Sequence, residues 1–246
     1  MSPATPLVPA VVVVHGALGS ARQMAPVVEA LRALRQFAEV VPVELPGHGE
    51  TRLATGQPFE MTALADALGE AMARAAITRP LVFGYSMGGY AALVRELRAP
   101  GTIGGVVTLG TVLHWTPAIA ERAAARLDAS LIREKVPAFA ATLAERHQGA
   151  GGWETVLAHT ARLLRRLGDA PPLTDDTLAA IHCPVHLLVG DRDDSVSLRE
   201  TAHAASRLPH ARASLLAHTP HPIEQVDVAC IAREVSDLAQ RLSSGG

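Results

Sequence analysis

Leu81-Val82-Phe83-Gly84-Tyr85-Ser86-Met87-Gly88-Gly89-Tyr90 is an apolar run that stops at a serine set among glycines and then passes into an alanine-rich segment. It reads as strand, sharp turn and helix. The pattern G-x-S-x-G falls on Gly84, Ser86 and Gly88. A turn this tight strains the serine backbone and brings neighbouring main chains together, so side chains at Gly84 and Gly88 would clash. The hydroxyl is lifted above the sheet, and the Met87 N–H, at the start of the new helix, can point at an oxyanion and gain from the helix dipole. An ordinary Gly-rich turn whose serine only caps a helix has the same pattern. The rest of the chain must decide.

Upstream, Ala10 to Val14 is a continuous β-branched run, uniformly apolar as a strand buried on both faces should be. It breaks at His15-Gly16-Ala17-Leu18-Gly19-Ser20, where Ser20 suits the N-cap of an amphipathic helix through Val27, Val28, Leu31 and Leu34. A second strand, about Ala38 to Val43, ends in Leu45-Pro46-Gly47-His48-Gly49, a tight loop, and a helix from about Met61 to Ile77 leads to Leu81. Downstream, the elbow helix runs to about Arg98 and a fourth strand covers Val106 to Leu109.

Strand–helix alternation then lapses. Residues 111–182 read as helices near Thr116–Leu127, Val136–His147 and Trp153–Leu167, with Gly149 to Gly152 as a flexible joint. Alternation resumes with a strand at Val185 to Val189, a helix near Leu198–Arg207, a strand near Ala213–Leu216 and a closing helix from about Ile223 to Leu242. The expected architecture is α/β: a doubly wound, mainly parallel sheet of about six strands, with a helical lid inserted after the fourth. Residues 1–110 and 183–246 form the core in this reading, and 111–182 the lid.

In such sheets ligands sit at the carboxyl ends of the strands. The conspicuous polar residues fall there: His15, then Ser86, then Asp191, Asp193 and Asp194, then His218 and His221. Their order is Ser, Asp, His.

These motifs carry a family resemblance over nearly the whole chain: it looks like a lidded α/β-hydrolase. Besides the elbow, His15-Gly16-Ala17 is similar to the family's H-G-x turn, which by that match makes Ala17 and Met87 the oxyanion donors. Leu45-Pro46-Gly47-His48-Gly49 resembles the structural P-G-H-G loop, and Gly190-Asp191-Arg192-Asp193 the G-x-x-D that places the triad acid at Asp193. Asp191 and Asp194 lie close enough to serve as helix caps or alternatives. Only about ten residues precede the first strand, too few for the family's opening antiparallel pair, which shortens the sheet. The base is either His221, on a short loop between Pro220 and Pro222, or His218, just past the apolar run. His221 is the expectation, because a loop histidine can lean toward Ser86, although the spacing to Glu224 and Gln225 does not single it out.

The chemistry implied by the resemblance is a Ser86–His221–Asp193 triad working with pre-placed oxyanion donors, each worth about 3–4 kcal/mol in the transition state. The same triad serves esterases, thioesterases, lactonases, carbon–carbon bond hydrolases and some cofactor-free lyases, and the motif does not choose among them. An apolar lid with few fixed charges favours a small or medium apolar ester or thioester. A dicarboxylate or dienol substrate would need arginine clamps, for which Arg22, Arg122, Arg126 and Arg133 are the candidates. His114, Trp115, Phe139 and Trp153 are the bulky candidates for the pocket lining.

Composition excludes other classes. A net charge of −2 gives no basic field for nucleic acid or anionic lipid. Eleven histidines show no H-E-x-x-H or H-x-H cluster, so no metal is expected, and the absence of G-x-G-x-x-G implies no nucleotide cofactor. Cys183 and Cys230 read as buried free thiols. Met1 to Pro6 lacks the basic region of an export signal, and no apolar stretch reaches spanning length, so a cytoplasmic protein with a small-molecule substrate is expected. Its oligomeric state is left open.

Overall fold

In the computed structural model, which describes residues 10–244, four consecutive valines form the central strand β1 (Val11–Val14), every one of them buried. Met1 to Pro6, read above for an export signal, lie outside the described residues. Strand side chains alternate between faces, so Val12 and Val14 join one core cluster, and Val11 and Val13 join the other. A strand apolar on every residue must be covered twice.

The remaining strands are β2 (Val40–Val43), β3 (Leu81–Tyr85), β4 (Gly105–Leu109), β5 (Val185–Arg192) and β6 (Ala211–Pro220). They pair in the order β2-β1-β3-β4-β5-β6, parallel throughout. Helices α1 (Ala25–Ala33) and α10 (Val228–Ser244) cover one face. Helices α2 (Met61–Arg74), α3 (Met87–Arg98) and α9 (Leu198–Arg207) cover the other. From β1 the chain moves outward to β2, then returns to the other side of β1 as β3. This reversal opens a crevice at the carboxyl ends of β1 and β3, and His15-Gly16-Ala17 and Ser86 leave the sheet there.

Five helices lie between β4 and β5: α4 (Pro117–Ala125), α5 (Ala129–Lys135), α6 (Pro137–Arg146), α7 (Trp153–Asp169) and α8 (Asp175–Leu178). The sequence reading found three of them. It missed α5 and α8, which are only seven and four residues long and carry too few turns to show a helical period, although Asp128 and Thr174 cap them with side-chain hydrogen bonds. Ile132, Ala140, Leu143, Trp153 and Leu157 form a separate apolar cluster within this segment.

Other differences sit at element ends. Ser20 does not cap α1: its hydroxyl accepts from the Gln23 N–H at 3.2 Å, and a 3-10 turn, Arg22–Met24, intervenes before the helix starts at Ala25. β5 and β6 outrun their apolar stretches, to Arg192 and Pro220, across a register shift between Gly190 and Arg192. After β6 a short 3-10 turn, Ile223–Gln225, precedes α10, so the last helix starts at Val228 and not at Ile223. Both cysteines are free; Cys183 is buried and its thiol is pushed up to about 12 by burial and by Glu96, whereas Cys230 is only partly buried. Among the described residues no helix is long and apolar enough to cross a membrane.

Candidate active site

Ser86 has φ 50° and ψ −115°, a left-handed backbone that a serine adopts only when its surroundings enforce it. Its N–H donates to the Leu109 carbonyl at 2.8 Å, and its own carbonyl accepts from the Thr111 hydroxyl at 2.9 Å and the Gly89 N–H at 3.1 Å. The flanking glycines allow this. A Cβ at Gly84 would lie 2.4 Å from the Gly89 nitrogen, and one at Gly88 2.5 Å from the His15 carbonyl oxygen.

Two backbone donors lie at the same place. Met87 opens α3, and Ala17 lies in the turn after β1, next to Gly16, where an added Cβ would meet the Ser86 Cβ at 3.2 Å. Neither the Ala17 nor the Met87 N–H has a protein acceptor among the described residues. Both residues line one cavity with Ser86 and His221.

Asp193 sits in the turn after β5. Its Oδ1 accepts from the Ser195 and Val196 N–H groups at 2.8 and 2.9 Å, which leaves Oδ2 for His221 Nδ1 at 2.8 Å. The Asp193 side chain is 2% exposed and that of His221 20%. Burial pushes the carboxyl pKa up, but the His221 hydrogen bond and charge and the two backbone donors outweigh it, holding the pKa below the usual carboxylate value. An ionised carboxylate only accepts, so the hydrogen lies on Nδ1 and Nε2 is left with its lone pair. Gly110 makes room for the pair: its φ is +61°, and a Cβ there would meet Asp193 Oδ2 at 2.9 Å and His221 Nδ1 at 3.1 Å.

The neighbouring polar residues are engaged elsewhere. Asp191 Oδ1 accepts from the Thr219 N–H at 3.0 Å and so braces the end of β6. Asp194 accepts from the Ser195 hydroxyl at 3.1 Å and reaches the cavity edge. His218 is exposed, has φ +54°, and accepts at Nδ1 from Arg192 at 2.7 Å. It is not among the cavity residues: the left-handed backbone breaks the pleat at His218, which is exposed although Leu216, two residues before it, is buried. His15 and His48 bond their own loops, through Gly16 O at 2.8 Å and Pro46 O at 3.2 Å.

The cavity holds about 380 Å³, with Met61, Tyr90, Leu163, Leu164 and Leu167 among its apolar walls. Of the four bulky candidates only Trp115 lines it. His114 faces a second hollow of about 250 Å³ beside Glu200 and His203. Phe139 is 42% exposed, and Trp153 is buried in the cluster between α5, α6 and α7. Position along α7 explains the correction: one amphipathic stripe runs the length of the helix, and its first turns, with Trp153 and Leu157, pack in the segment's own cluster while Thr160, Leu163, Leu164 and Leu167 further along line the cavity.

Of three further features, the sequence reading named only Arg122 and Arg126, as candidate carboxylate clamps. Tyr85, directly before Ser86, donates its hydroxyl to the His221 carbonyl at 3.0 Å. Arg122 and Arg126, one turn apart on and just past α4, line the cavity and make no ion pair among the described residues. The Thr160 hydroxyl is buried in the same wall and has no hydrogen-bond partner there. Helices α4 and α7 run antiparallel, since Gly168 abuts Pro117 and Ala120 while Arg165 bonds Glu121. Equal rise along the two helices then sets Thr160 level with Arg126. Of the other candidate arginines, Arg133 pairs with Glu154 over the Trp153 ring and Arg22 lines a different hollow.

A model of the alpha/beta hydrolase family matches residues 11–229. No curated protein matches the chain in sequence. Among solved structures it is similar to a thermophilic esterase from Thermogutta terrifontis with malate bound, at 19% identity and TM-score 0.72 over 95% of this chain and 90% of the other. NosK from Streptomyces actuosus shares 22% identity, with TM-score 0.75, over 96% and 99%. The 2-hydroxy-6-oxo-6-phenylhexa-2,4-dienoate hydrolase of Rhodococcus sp. strain RHA1 shares 21%, with TM-score 0.72, over 96% and 92%. At these identities the likeness is one of fold.

Proposed function

Because this chain belongs to the alpha/beta hydrolase family, we propose that it is a serine hydrolase cleaving a small or medium apolar ester or thioester through an acyl-serine. The observation that carries this is one cavity shared by the left-handed Ser86, the Asp193-bonded His221, and the unpartnered Ala17 and Met87 N–H groups. Ser86 Oγ attacks the acyl carbon while His221 Nε2 takes the hydroxyl proton. Negative charge moves to the former carbonyl oxygen, where the two N–H groups receive it. Collapse breaks the bond to the leaving alcohol or thiol, which takes the proton from His221. Water then attacks the acyl carbon, gives its proton to His221, and releases the acid as Ser86 regains its hydrogen. Asp193, held ionised, fixes the His221 tautomer and stabilises the imidazolium. The helices over the cavity act as a lid, and their leucines supply the apolar surface for the acyl chain.

The test is a fluorophosphonate probe together with nitrophenyl esters of graded chain length. Stoichiometric labelling lost in Ser86→Ala, with turnover on some chain length, is expected. No labelling and no turnover on any ester would overturn the reading.

A second reading keeps the same machinery but gives it a carboxylated metabolite, cleaved at a carbon–carbon bond or by elimination. The unpaired Arg122 and Arg126, with Thr160 level with the second, favour it: guanidinium groups over an apolar cavity suit a carboxylate, and a buried hydroxyl adds a donor. Comparing a neutral nitrophenyl ester with the hemiester of a dicarboxylic acid of equal length separates the two. A preference for the hemiester that disappears in Arg126→Ala supports the second reading; equal rates in both proteins exclude it.

A further inference from the structure

Leu18 has φ +57°, and it occupies the third position of the turn that Gly19 N–H closes onto Gly16 O at 3.1 Å. Glycine or asparagine usually fills a left-handed turn position; a leucine there must be held. The hold comes from the end of a helix far along the chain. At the end of α6, Arg146 Nη1 donates to the Leu18 carbonyl at 2.8 Å, and His147 Nε2 lies 3.0 Å from the same oxygen. His147 Nδ1 accepts from the Gly49 N–H at 3.0 Å, which puts the ring hydrogen on Nε2 and makes that nitrogen the donor to Leu18. His147 is fully buried, and the Leu18 side chain packs into the apolar cluster of the same helices.

The same arginine reaches the other loop of the site. Arg146 Nη2 bonds Glu224 Oε1 at 3.0 Å, where Gln23 Nε2 also donates at 2.7 Å, and Glu224 lies three residues past His221. The arginine side chain is only 13% exposed. One turn of the lid therefore grips the turn that carries Ala17, the loop after β2 and the segment after His221.

We propose that Arg146 and His147 are positioning residues for the oxyanion turn. They hold Leu18 left-handed, and with it the adjacent Ala17 N–H in the place where a tetrahedral oxyanion develops. The hole is then complete only while the lid is seated, so seating is coupled to transition-state stabilisation and not to substrate binding alone. This inference rests on Ser86 acting as the nucleophile.

The experiment compares wild type, Arg146→Ala and Arg146→Lys in steady-state kinetics on a neutral nitrophenyl ester. It adds the affinities of an alkylboronic acid, which becomes tetrahedral on the serine, and of the planar alkyl amide of equal length. Loss of a correctly placed oxyanion donor costs about 10²–10³-fold in kcat, so a displaced one should cost on the order of 10–100-fold in Arg146→Ala, with KM changed less than about threefold. Boronate affinity should fall with kcat while amide affinity holds. Arg146→Lys, whose single nitrogen replaces the two that serve Leu18 and Glu224 separately, should fall between, and it carries the same readouts should the alanine variant not fold. Unchanged kcat and boronate affinity in a folded variant, or equal losses of boronate and amide affinity, would overturn the proposal. A wild-type protein that neither turns over esters nor binds boronate would instead refute the nucleophile reading.

Discussion

The Tyr85 hydroxyl donates to the main-chain carbonyl of His221 at 3.0 Å, so the residue before the proposed nucleophile restrains the loop of the proposed base. Burial, with Glu224 and Asp193 nearby, raises the phenol pKa and keeps it a donor. Removing one such bond costs about 1 kcal/mol. Tyr85→Phe should therefore lower kcat roughly fivefold while leaving Ser86 labelling stoichiometric. Unchanged kcat would show that the loop does not depend on this bond.

The two histidines of the β6 end should separate sharply. His221 is bonded to a buried Asp193, whereas His218 is exposed and bonded to Arg192. His221→Ala should cost on the order of 10⁴-fold in kcat, as Ser86→Ala should, and His218→Ala less than about tenfold. The reverse ranking in folded proteins would sink the assignment.

Trp153 and Leu164 divide stability from specificity. Trp153 is buried in the cluster of α5, α6 and α7, so Trp153→Ala should cost about 3–5 kcal/mol in urea unfolding and leave chain-length preference intact. Leu164 lines the cavity, and Leu164→Phe should shift the preferred ester to shorter acyl chains with little change in stability. Matching profiles in both variants would contradict this division.

Acid should weaken the fold through His186. Burial, then Arg212 and Arg241, push its pKa down to about 3, and its ring is fixed between Arg212 Nη2 at 2.9 Å and the Ser214 hydroxyl at 2.8 Å, with Glu234 at 3.5 Å. Above the unfolded value of about 6.5 both states are neutral and the full stability is present. Below it the unfolded chain takes up a proton that the folded chain refuses, so stability falls continuously toward the folded pKa. The melting temperature of the wild type should drop between pH 7 and 4, and His186→Gln should flatten the slope. Part of the slope should persist, because burial also lowers the pKa values of His48 and His147. Parallel slopes would assign the acid sensitivity elsewhere.

The sequence by itself determined the sheet and the elbow. Consecutive valines at 11–14 can only be a strand covered on both faces, and the glycines at 84 and 88 answer a close approach of main chains that the five-residue pattern already encodes. Both signals are local, carried by residues that are neighbours in the chain. The strand pattern also put Ser86, Asp193 and His221 just past the third, fifth and sixth strands. Tertiary structure alone decided which residues face one another. Nothing in the spacing of residues 111–182 tells which turns of the single α7 stripe meet the neighbouring helices, as Trp153 does, and which reach the cavity, as Thr160 does, because the stripe is amphipathic about partners the sequence does not name. The contact of Arg146 with Leu18 spans 128 positions. No period or motif links residues so far apart; only the packing of α6 over the end of β1 brings that guanidinium to that carbonyl.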